Sequence, residues 1–336
     1  MPRMRAAFKR GLTVTLREAE LPPLRPEDLR LKVSACGICG SDLQVNPEEA
    51  EQELAFGHEV AGVVAEVGSA VGRLSVGQPV VLESATACGR CDNCRNARQE
   101  LCTDIQSFWY LNSFGMAEEM VTPAATAIPC DYLEPEVALL SEPLGVAIDL
   151  VRLADIGPDN NVLLMGAGPI GLMALALVKK AGARRIFASE LSSRQARLEL
   201  ARAFGADETL DPQATPIEQY DFGCGIDRVL VTSPPPTLSS AFAVAIKGGI
   251  ISFIGIGHGE QAFCHFNAND FHFKKLQLRA SFASPALFTP RALQYLHEGV
   301  VNGPALISHR FPLGKIEEAM RVAREDPAAL KVVVRP

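Results

Sequence analysis

The sequence has little that would tie it to a membrane or to nucleic acid. No uninterrupted apolar run reaches the length that a bilayer-spanning helix needs. The basic first residues are not followed by the apolar core of a signal peptide, because charged residues such as Lys9 and Arg17 interrupt the segment. The net charge of −7 argues against a nucleic-acid or anionic-membrane partner, although a local basic patch would be compatible with it. A cytoplasmic protein is therefore the default expectation.

The sequence also gives no sign of a disulfide framework, and aromatic residues make up only 6% of it. The nine cysteines form an odd set in a chain without an export signal, which argues against a disulfide framework and favours metal binding for most of them. The single tryptophan, Trp109, follows Phe108, and an aromatic run of this kind favours a place in the core over a binding wall. With 336 residues, the chain is too long for one ordinary core, so two domains are expected.

One loop gathers side chains that bind metal. It contains Cys39, Ser41 and Asp42 among glycines, and His58 and Glu59 follow one spacer later. Thiolate, imidazole and carboxylate are ligand types that Zn²⁺ prefers, and three protein ligands with an open fourth position are typical of a catalytic site. The sequence therefore predicts a catalytic zinc ion at this loop.

A second group of cysteines has the spacing C-x2-C-x2-C-x7-C and consists of Cys88, Cys91, Cys94 and Cys102. Four thiolates in a short polar segment can surround one tetrahedral Zn²⁺ and leave no open position, which is typical of a structural site. A zinc ribbon that binds nucleic acid is the alternative. The acidic charge of the chain and the position of the cluster within a predicted β domain weaken it.

A glycine-rich turn occurs in the context that dinucleotide binding requires. Its glycines Gly166, Gly168 and Gly171, with Pro169 and Ile170, lie between the apolar run 162–165, suited to a buried strand, and a predicted helix. The first glycine allows a tight turn, the second allows the pyrophosphate to approach, and the third allows helix and strand to pack. The unpaired N–H groups at the start of the helix would then face the phosphates.

The acidic residue that such a turn requires is Glu190, at the end of the next predicted strand. Its carboxylate can accept hydrogen bonds from the ribose hydroxyls of NAD and would repel the 2′-phosphate of NADP, so NAD is favoured. Arg194, four positions later, would soften that preference. Ile254 ends a further predicted strand before Gly255 and Gly257, where the nicotinamide half of the cofactor is expected.

The rest of the chain has two kinds of pattern. Closely spaced glycines in a valine-rich stretch from 59 to 82 predict a barrel-like β domain. From 161 onward, strands alternate with helices, as in a doubly wound parallel sheet. A last strand is expected at 332–334, and the tail is expected to return to the first domain. The fold class is therefore α/β, with a β-rich domain and a Rossmann domain.

Taken together, these motifs resemble those of the zinc-dependent medium-chain dehydrogenase/reductases of the alcohol dehydrogenase superfamily. The features that carry the resemblance are Gly57-His58-Glu59-x2-Gly62-x5-Gly68, the segment from Gly37 to Asp42, the four-cysteine segment and the glycine-rich turn. Within this family, the chain is most similar to the polyol (sorbitol-type) and threonine dehydrogenase branch. The resemblance extends from about residue 4 to the end.

The resemblance implies a GroES-like catalytic domain made of residues 1–147 and 285–336, with a Rossmann domain at 148–284 inserted between them. It implies that Cys39, His58 and Glu59 form the catalytic zinc region and that Glu142 lies at or near the metal. Ser41 corresponds to the hydroxyl that passes the substrate proton, and Asp42 to a residue that orients His58. Members of the family commonly form dimers or tetramers, so a homo-oligomer is expected.

Two features depart from the pattern of this branch. Its members usually have a histidine on the proton path five positions after the cysteine ligand, where this chain has Gln44. A glutamine does not titrate near pH 7, so the proton must leave from Ser41 to water or by another route. The spacer between Asp42 and His58 is also shorter than usual, and it borders the substrate cleft in the family.

The sequence thus predicts an enzyme that transfers a hydride between a small-molecule secondary alcohol and NAD, with zinc as Lewis acid. Its substrate would be a polyol, a sugar alcohol or a hydroxy-amino acid such as threonine. Two alternatives remain at this point. One is a non-catalytic dinucleotide-binding module with a structural zinc lobe. The other is an alcohol dehydrogenase or reductase that prefers NADP.

Overall fold

The computed structural model describes residues 3–48 and 50–336, and these form two units. Unit 1 comprises residues up to Gly145, Ala283–Gly299 and Gly303–Pro336, whereas unit 2 comprises Val146–Phe282 and Val300–Asn302. Within the part of the chain that the structure describes, no helix combines the length and the apolar character needed to cross a membrane.

Unit 1 is rich in strands, as the valine and glycine pattern predicts. Its strands, numbered along the whole chain, are β1 (Arg3–Arg10), β2 (Thr13–Glu20), β3 (Asp28–Gly37), β4 (Leu54–Ala55), β5 (Glu59–Val67), β6 (Pro79–Leu82), β7 (Ala85–Thr86), β8 (Gln106–Ser107), β9 (Glu119–Pro123), β10 (Ala127–Pro129), β17 (Ile307–Pro312) and β18 (Lys331–Arg335).

A seven-stranded sheet forms the centre of unit 1. Its order is β10-β6-β5-β3-β18-β17, with β9 also paired to β3. The last strand, β18, pairs antiparallel with β3 and places Val333 opposite Gly37. On its other side, β3 pairs with β5, so that Gly37 faces Glu59. The end of β3 and the start of β5 therefore meet at one place in the sheet.

The core of unit 1 lies against this sheet and is built from alternating apolar residues of its strands. Leu29, Leu31 and Val33 of β3 pack with valines of β5 and β18. Phe108 and Trp109 differ in burial. Phe108 is fully buried, but Trp109 is 61% exposed and contacts the Phe114 ring edge-on. The prediction of a core position is therefore wrong for Trp109, because its neighbour already fills the core.

Unit 2 is built on a six-stranded parallel sheet. Its strands are β11 (Asn161–Met165), β12 (Arg185–Ser189), β13 (Glu208–Leu210), β14 (Ile226–Val231), β15 (Ala245–Phe253) and β16 (Gln277–Ala280), in the order β13-β12-β11-β14-β15-β16. Every residue of β11 is buried, as the apolar run predicts for a central parallel strand.

The helices of unit 2 follow the predicted alternation with strands. Along the described residues of both units, the helices are α1 (Asp92–Arg95), α2 (Pro135–Ala138), α3 (Ser141–Ala154), α4 (Pro169–Lys180), α5 (Gln195–Ala203), α6 (Leu238–Val244), α7 (Ala268–Phe273), α8 (Thr289–His297), α9 (Gly303–Leu306) and α10 (Ile316–Glu325). The α/β fold class, with a β-rich unit and a parallel doubly wound unit, is confirmed.

Candidate functional site

A tight turn holds the first candidate ligand. After β3 ends, Cys39 precedes the 3-10 turn Gly40–Leu43. The backbone N–H of Cys39 donates to Oδ2 of Asp42 at 2.9 Å, and the N–H of Asp42 donates back to the carbonyl of Cys39 at 3.0 Å. These reciprocal bonds fix the backbone that carries the Cys39 thiol.

His58 and Glu59 bring their side chains to the same place. Single ligand atoms of Cys39, His58 and Glu59 all lie within 4.8 Å of one another. Oε2 of Glu59 is buried and has no hydrogen-bond partner among the described residues. A Cβ atom added at Gly37 would lie 2.1 Å from that oxygen, so only glycine leaves room for the carboxylate. A thiolate, an imidazole and an unpartnered buried carboxylate oxygen fit a zinc ion.

Charges around His58 favour its protonated form when no metal is bound. Burial alone would lower the pKa of His58, but the Cys39 thiolate, Asp42 and Glu142 together raise it well above its usual value. Nδ1 of His58 lies 3.8 Å from Oδ1 of Asp42, an ion-pair distance that is too long for a hydrogen bond. Three acidic groups, Cys39, Asp42 and Glu142, thus stabilise one cation at a point where a metal ion can replace a proton.

Glu142 lies close to this group and is not part of it. It occupies the first turn of α3, and Oγ of Ser84 donates to its Oε1 at 3.4 Å. Burial raises the pKa of Glu142, the positive charge of His58 lowers it, and the balance is upward. The structure therefore places Glu59 in the three-residue group and Glu142 beside it.

Ser41 and Gln44 both lie on the exposed side of the turn. The N–H of Gln44 donates to the carbonyl of Ser41 at 3.3 Å. Lys9, which the sequence pattern does not single out, donates from Nζ to the carbonyl oxygens of Asp42 and Gln44, each at 3.0 Å. Lys9 of β1 thus stabilises the turn that presents Ser41 to solvent.

The four-cysteine segment closes on itself around α1. Cys88, Cys91, Cys94 and Cys102 each offer a sulfur within 4.8 Å of the others. Backbone amides of Cys94 and Thr103 lower the pKa of Cys91 to about 6, whereas burial and the neighbouring thiols raise the pKa of Cys94 to about 12. Amides of Arg90 and Cys91 approach the sulfur of Cys88 at 3.4 Å. Four clustered thiols with amide donors fit a closed zinc site.

The glycine-rich turn in unit 2 depends on its glycines. Gly166 has φ +99°, which disfavours any residue with a side chain. A Cβ at Gly171 would lie 2.1 Å from the carbonyl oxygen of Gly166. That oxygen also accepts a hydrogen bond from Oγ1 of Thr232 at 2.7 Å, a contact that the motif alone does not reveal. At Gly168, the N-cap of α4, the nearest atom to an added Cβ is Nη1 of Arg197 at 3.8 Å. The turn therefore leaves open space before the helix, which fits a pyrophosphate.

The other predicted cofactor residues lie in segments that follow strands of the sheet. Pro169 and Ile170 form the first turn of α4, and the N–H of Ile254 donates to the carbonyl of Val231 at 3.1 Å beyond β15. Arg194 ends a 3-10 turn after β12. All of these positions belong to the carboxyl ends of parallel strands, where open α/β sheets bind ligands.

Glu190 is held by several partners. Its Oε2 accepts from the N–H of Ala167 at 3.1 Å, and its Oε1 accepts from the N–H of Leu191 at 2.9 Å. Nη1 of Arg197 lies 3.6 Å from Oε2. Burial lowers the pKa of Arg197, the nearby Arg194 lowers it further, and Glu190 opposes both. The sequence pattern predicts Glu190 and Arg194 here, and it misses the cation closest to the carboxylate.

Comparison with known proteins agrees with both units. The family model described as "Alcohol dehydrogenase GroES-like domain" matches residues 25–132, and the one described as "Zinc-binding dehydrogenase" matches residues 169–297. The chain is 31% identical to a sorbitol dehydrogenase of Arabidopsis thaliana, over 98% of this chain and 94% of the relative. It is 31% identical to an L-threonine 3-dehydrogenase of Bacillus velezensis, over 96% of this chain and 95% of the relative.

A solved structure has the same fold. It is a zinc-binding dehydrogenase from Sinorhizobium meliloti bound to NADP, with 28% identity, a TM-score of 0.86 and complete coverage (100%) of both chains. The two family models, the relatives and the zinc-compatible groups agree with the resemblance found in the sequence motifs. The chain belongs to the zinc-dependent medium-chain dehydrogenase/reductase family of the alcohol dehydrogenase superfamily, in its polyol and threonine dehydrogenase branch.

Proposed function

We propose that the protein is a zinc-dependent dehydrogenase that transfers a hydride between a secondary alcohol and NAD. The observation that carries the proposal is the convergence of Cys39, His58 and Glu59, within 4.8 Å of one another, in a chain of this family. A binding module has no need of a three-ligand site with an open position. Relatives named for sorbitol and threonine favour a polyol, a sugar alcohol or a hydroxy-amino acid as substrate.

The residues of unit 1 have distinct roles in this proposal. The catalytic zinc would be held by Cys39, His58 and Glu59, with Glu142 beside them. A structural zinc would be held by the four-cysteine segment, which we call the cysteine lobe. Zinc, when bound, supplies positive charge that lowers the pKa of a substrate hydroxyl. Ser41, exposed on its turn, relays the proton: its oxygen accepts the substrate proton as its own O–H proton passes to solvent, since the Gln44 amide does not titrate near pH 7. Asp42 fixes Cys39 and faces His58.

The residues of unit 2 hold the cofactor. We propose that Gly166, Gly168, Pro169, Ile170 and Gly171 form the pyrophosphate turn. NAD, when bound, accepts the hydride, and the protein contributes binding and orientation. Ile254 would lie near the nicotinamide half. Units 1 and 2 would then be the GroES-like catalytic domain and the NAD-binding Rossmann domain, with limits close to those of the two units.

The test is a panel of polyols, threonine, butanediol and simple alcohols, each offered with NAD and with NADP, while absorbance of the reduced cofactor is followed. We expect NAD-linked oxidation of a hydrophilic secondary alcohol. Metal analysis separates this proposal from a non-catalytic module. About two zinc ions per chain are expected for the enzyme, whereas about one, removed by mutation of the cysteine lobe, would favour the module.

Cofactor choice provides a first mutational prediction. Glu190→Gln keeps an oxygen and the shape of the side chain for the N–H of Ala167 but removes the negative charge beside Arg197. The ratio of kcat/KM with NADP to that with NAD should rise at least about tenfold, equivalent to about 1.4 kcal/mol. Initial rates with both cofactors measure it. An unchanged ratio would show that Glu190 acts only within the turn and does not set the preference.

Assembly of several copies provides a second prediction. β16 is an edge strand of the unit 2 sheet, and exposed apolar side chains lie on or near it, including Phe273, Leu278 and Phe282. Exposed strand edges and apolar patches favour association with another chain. We propose that this edge pairs with a second copy in a homo-oligomer. Light scattering should give a mass of two or four chains, and a monomer mass at micromolar concentration would contradict the proposal.

A further inference from the structure

Lys331 is a buried lysine to which the proposed chemistry gives no role. It begins β18, and only 3% of its side chain is exposed. Its Nζ donates to Oε1 of Glu59 at 2.5 Å and to the carbonyl oxygen of Ile38 at 3.1 Å. Replacing a buried ion pair by apolar residues is often neutral or stabilising, so stability alone does not explain a lysine before three valines.

The start of β18 also holds the residue directly before Cys39. The N–H of Ile38 donates to the carbonyl of Val332 at 2.9 Å, while the carbonyl of Ile38 accepts from Lys331. Two consecutive residues of β18 therefore fix both backbone groups of Ile38. Because Cys39 follows Ile38 in the chain, the position of its thiol depends on these two hydrogen bonds.

On the other side, Lys331 determines which oxygen of Glu59 is free. Oε1 is bound by the ammonium, and Oε2 is the buried oxygen that has no partner among the described residues. Gly37, the cross-strand neighbour of Glu59, leaves space for Oε2. The carboxylate thus has one oxygen engaged and one available to a cation.

Lys331 contacts both segments that carry candidate ligands. Its Nζ reaches the carboxylate of Glu59 on β5 and the backbone of Ile38, the residue before Cys39. One buried side chain can therefore hold these two segments at close spacing before a metal ion binds.

We propose that Lys331 is a positioning residue of the metal site, where one ammonium ties the Cys39 segment to the Glu59 carboxylate and so sets the affinity for zinc. The inference rests on the proposed function, since it requires that Cys39 and Glu59 hold zinc. Lys331 does not bind the metal itself. Partners that orient metal ligands commonly change metal affinity by 10–100-fold when they are removed. Without Lys331, the Cys39 segment and the Glu59 side chain must become ordered when zinc binds, and this ordering weakens the affinity for zinc.

The experiment measures zinc affinity in Lys331→Met by competition with a chromogenic chelator. We expect zinc at the Cys39 site to bind about 10–100-fold more weakly. Zinc at Cys88, Cys91, Cys94 and Cys102 should be unaffected and serves as a control in the same chain. Lys331→Arg, which keeps charge and donors, should restore most of the affinity. Lys315→Met, at an exposed ion pair with Glu318, is the matched surface control.

A double-mutant cycle separates positioning from general stability. In a Glu59→Gln background, Lys331→Met should weaken zinc binding by a smaller factor than in the parent, because the carboxylate is already gone and only the bond to Ile38 remains to be lost. Equal losses in both backgrounds, or a parallel loss at the cysteine lobe, would overturn the inference. If Lys331→Met does not fold, Lys331→Gln takes its place with the same expectations.

The parent chain distinguishes this inference from the proposed function. A parent that holds only the lobe zinc and oxidises no alcohol would refute the proposed function. A parent that holds two zinc ions and turns over, together with a Lys331→Met variant that binds zinc like the parent, would refute the role of Lys331 alone.

Discussion

Cys39→Ala should abolish alcohol oxidation and leave cofactor binding intact. Cys39 offers the only sulfur in the three-residue group, and its backbone is fixed by Asp42 and Ile38. A metal ion contributes several kcal/mol to charge stabilisation in such reactions, so turnover should fall about a thousandfold or more. The glycine-rich turn lies in unit 2 and does not depend on Cys39. Cofactor binding, followed by nicotinamide fluorescence, should match that of the parent.

Zinc content and a second cysteine variant provide the controls for this result. Cys39→Ala should lose about one zinc ion per chain and keep the lobe zinc. Cys224→Ala, which removes a thiol that belongs to neither metal group, should keep both zinc ions and the parent rate. If Cys39→Ala oxidised alcohols at the parent rate, the proposed zinc chemistry would be wrong.

Gly171→Ala should weaken cofactor binding and retain zinc, which is the converse of the result expected for Cys39→Ala. Its Cβ would lie 2.1 Å from the carbonyl oxygen of Gly166 and 3.1 Å from Oγ1 of Thr232, so the turn must shift. Overpacking of this kind costs about 1–3 kcal/mol, and here it displaces the N–H groups that would meet the pyrophosphate. Cofactor affinity, measured by fluorescence titration, should fall about 10–100-fold, equivalent to about 1.4–2.8 kcal/mol.

Zinc should be retained in this variant, in contrast to Cys39→Ala. Gly157→Ala is the matched control, because its added Cβ meets only Oδ1 of Asn160 at 3.8 Å and its φ is not positive. That variant should bind cofactor like the parent. Equal cofactor affinity in Gly171→Ala and the parent would show that the turn does not hold the pyrophosphate.

Contiguous signals made some parts of the fold and site predictable. β11, the glycines and α4 follow one another within 20 residues, and each has its own local cause: an apolar run, positive φ at Gly166 with close packing at Gly171, and a proline at the helix start. The cysteine lobe is predictable for the same reason, because four ligands in one short segment need no knowledge of the tertiary fold. The family resemblance extended these local signals to the whole chain.

Features set by strand pairing were not predictable. Lys331 lies 272 residues from Glu59 in the sequence, and the two meet only because β3 pairs with β18 on one side and with β5 on the other. The family resemblance implied that Glu142 lies at or near the metal, but its place beside the three-residue group is set by the start of α3 and by the contact with Ser84. Thr232 and Arg197 were missed because hydroxyls and arginines near a turn carry no motif of their own.

Transfer of deuterium from the carbinol carbon of a secondary alcohol to the nicotinamide ring tests the central claim most directly. Zinc-loaded parent protein should produce deuterated reduced cofactor, detected by mass spectrometry, from at least one polyol or hydroxy-amino acid of the panel. Cys39→Ala should produce none above the rate of cofactor and alcohol alone. Absence of deuterated cofactor with a parent chain that holds two zinc ions, across all alcohols and both cofactors, would contradict the account.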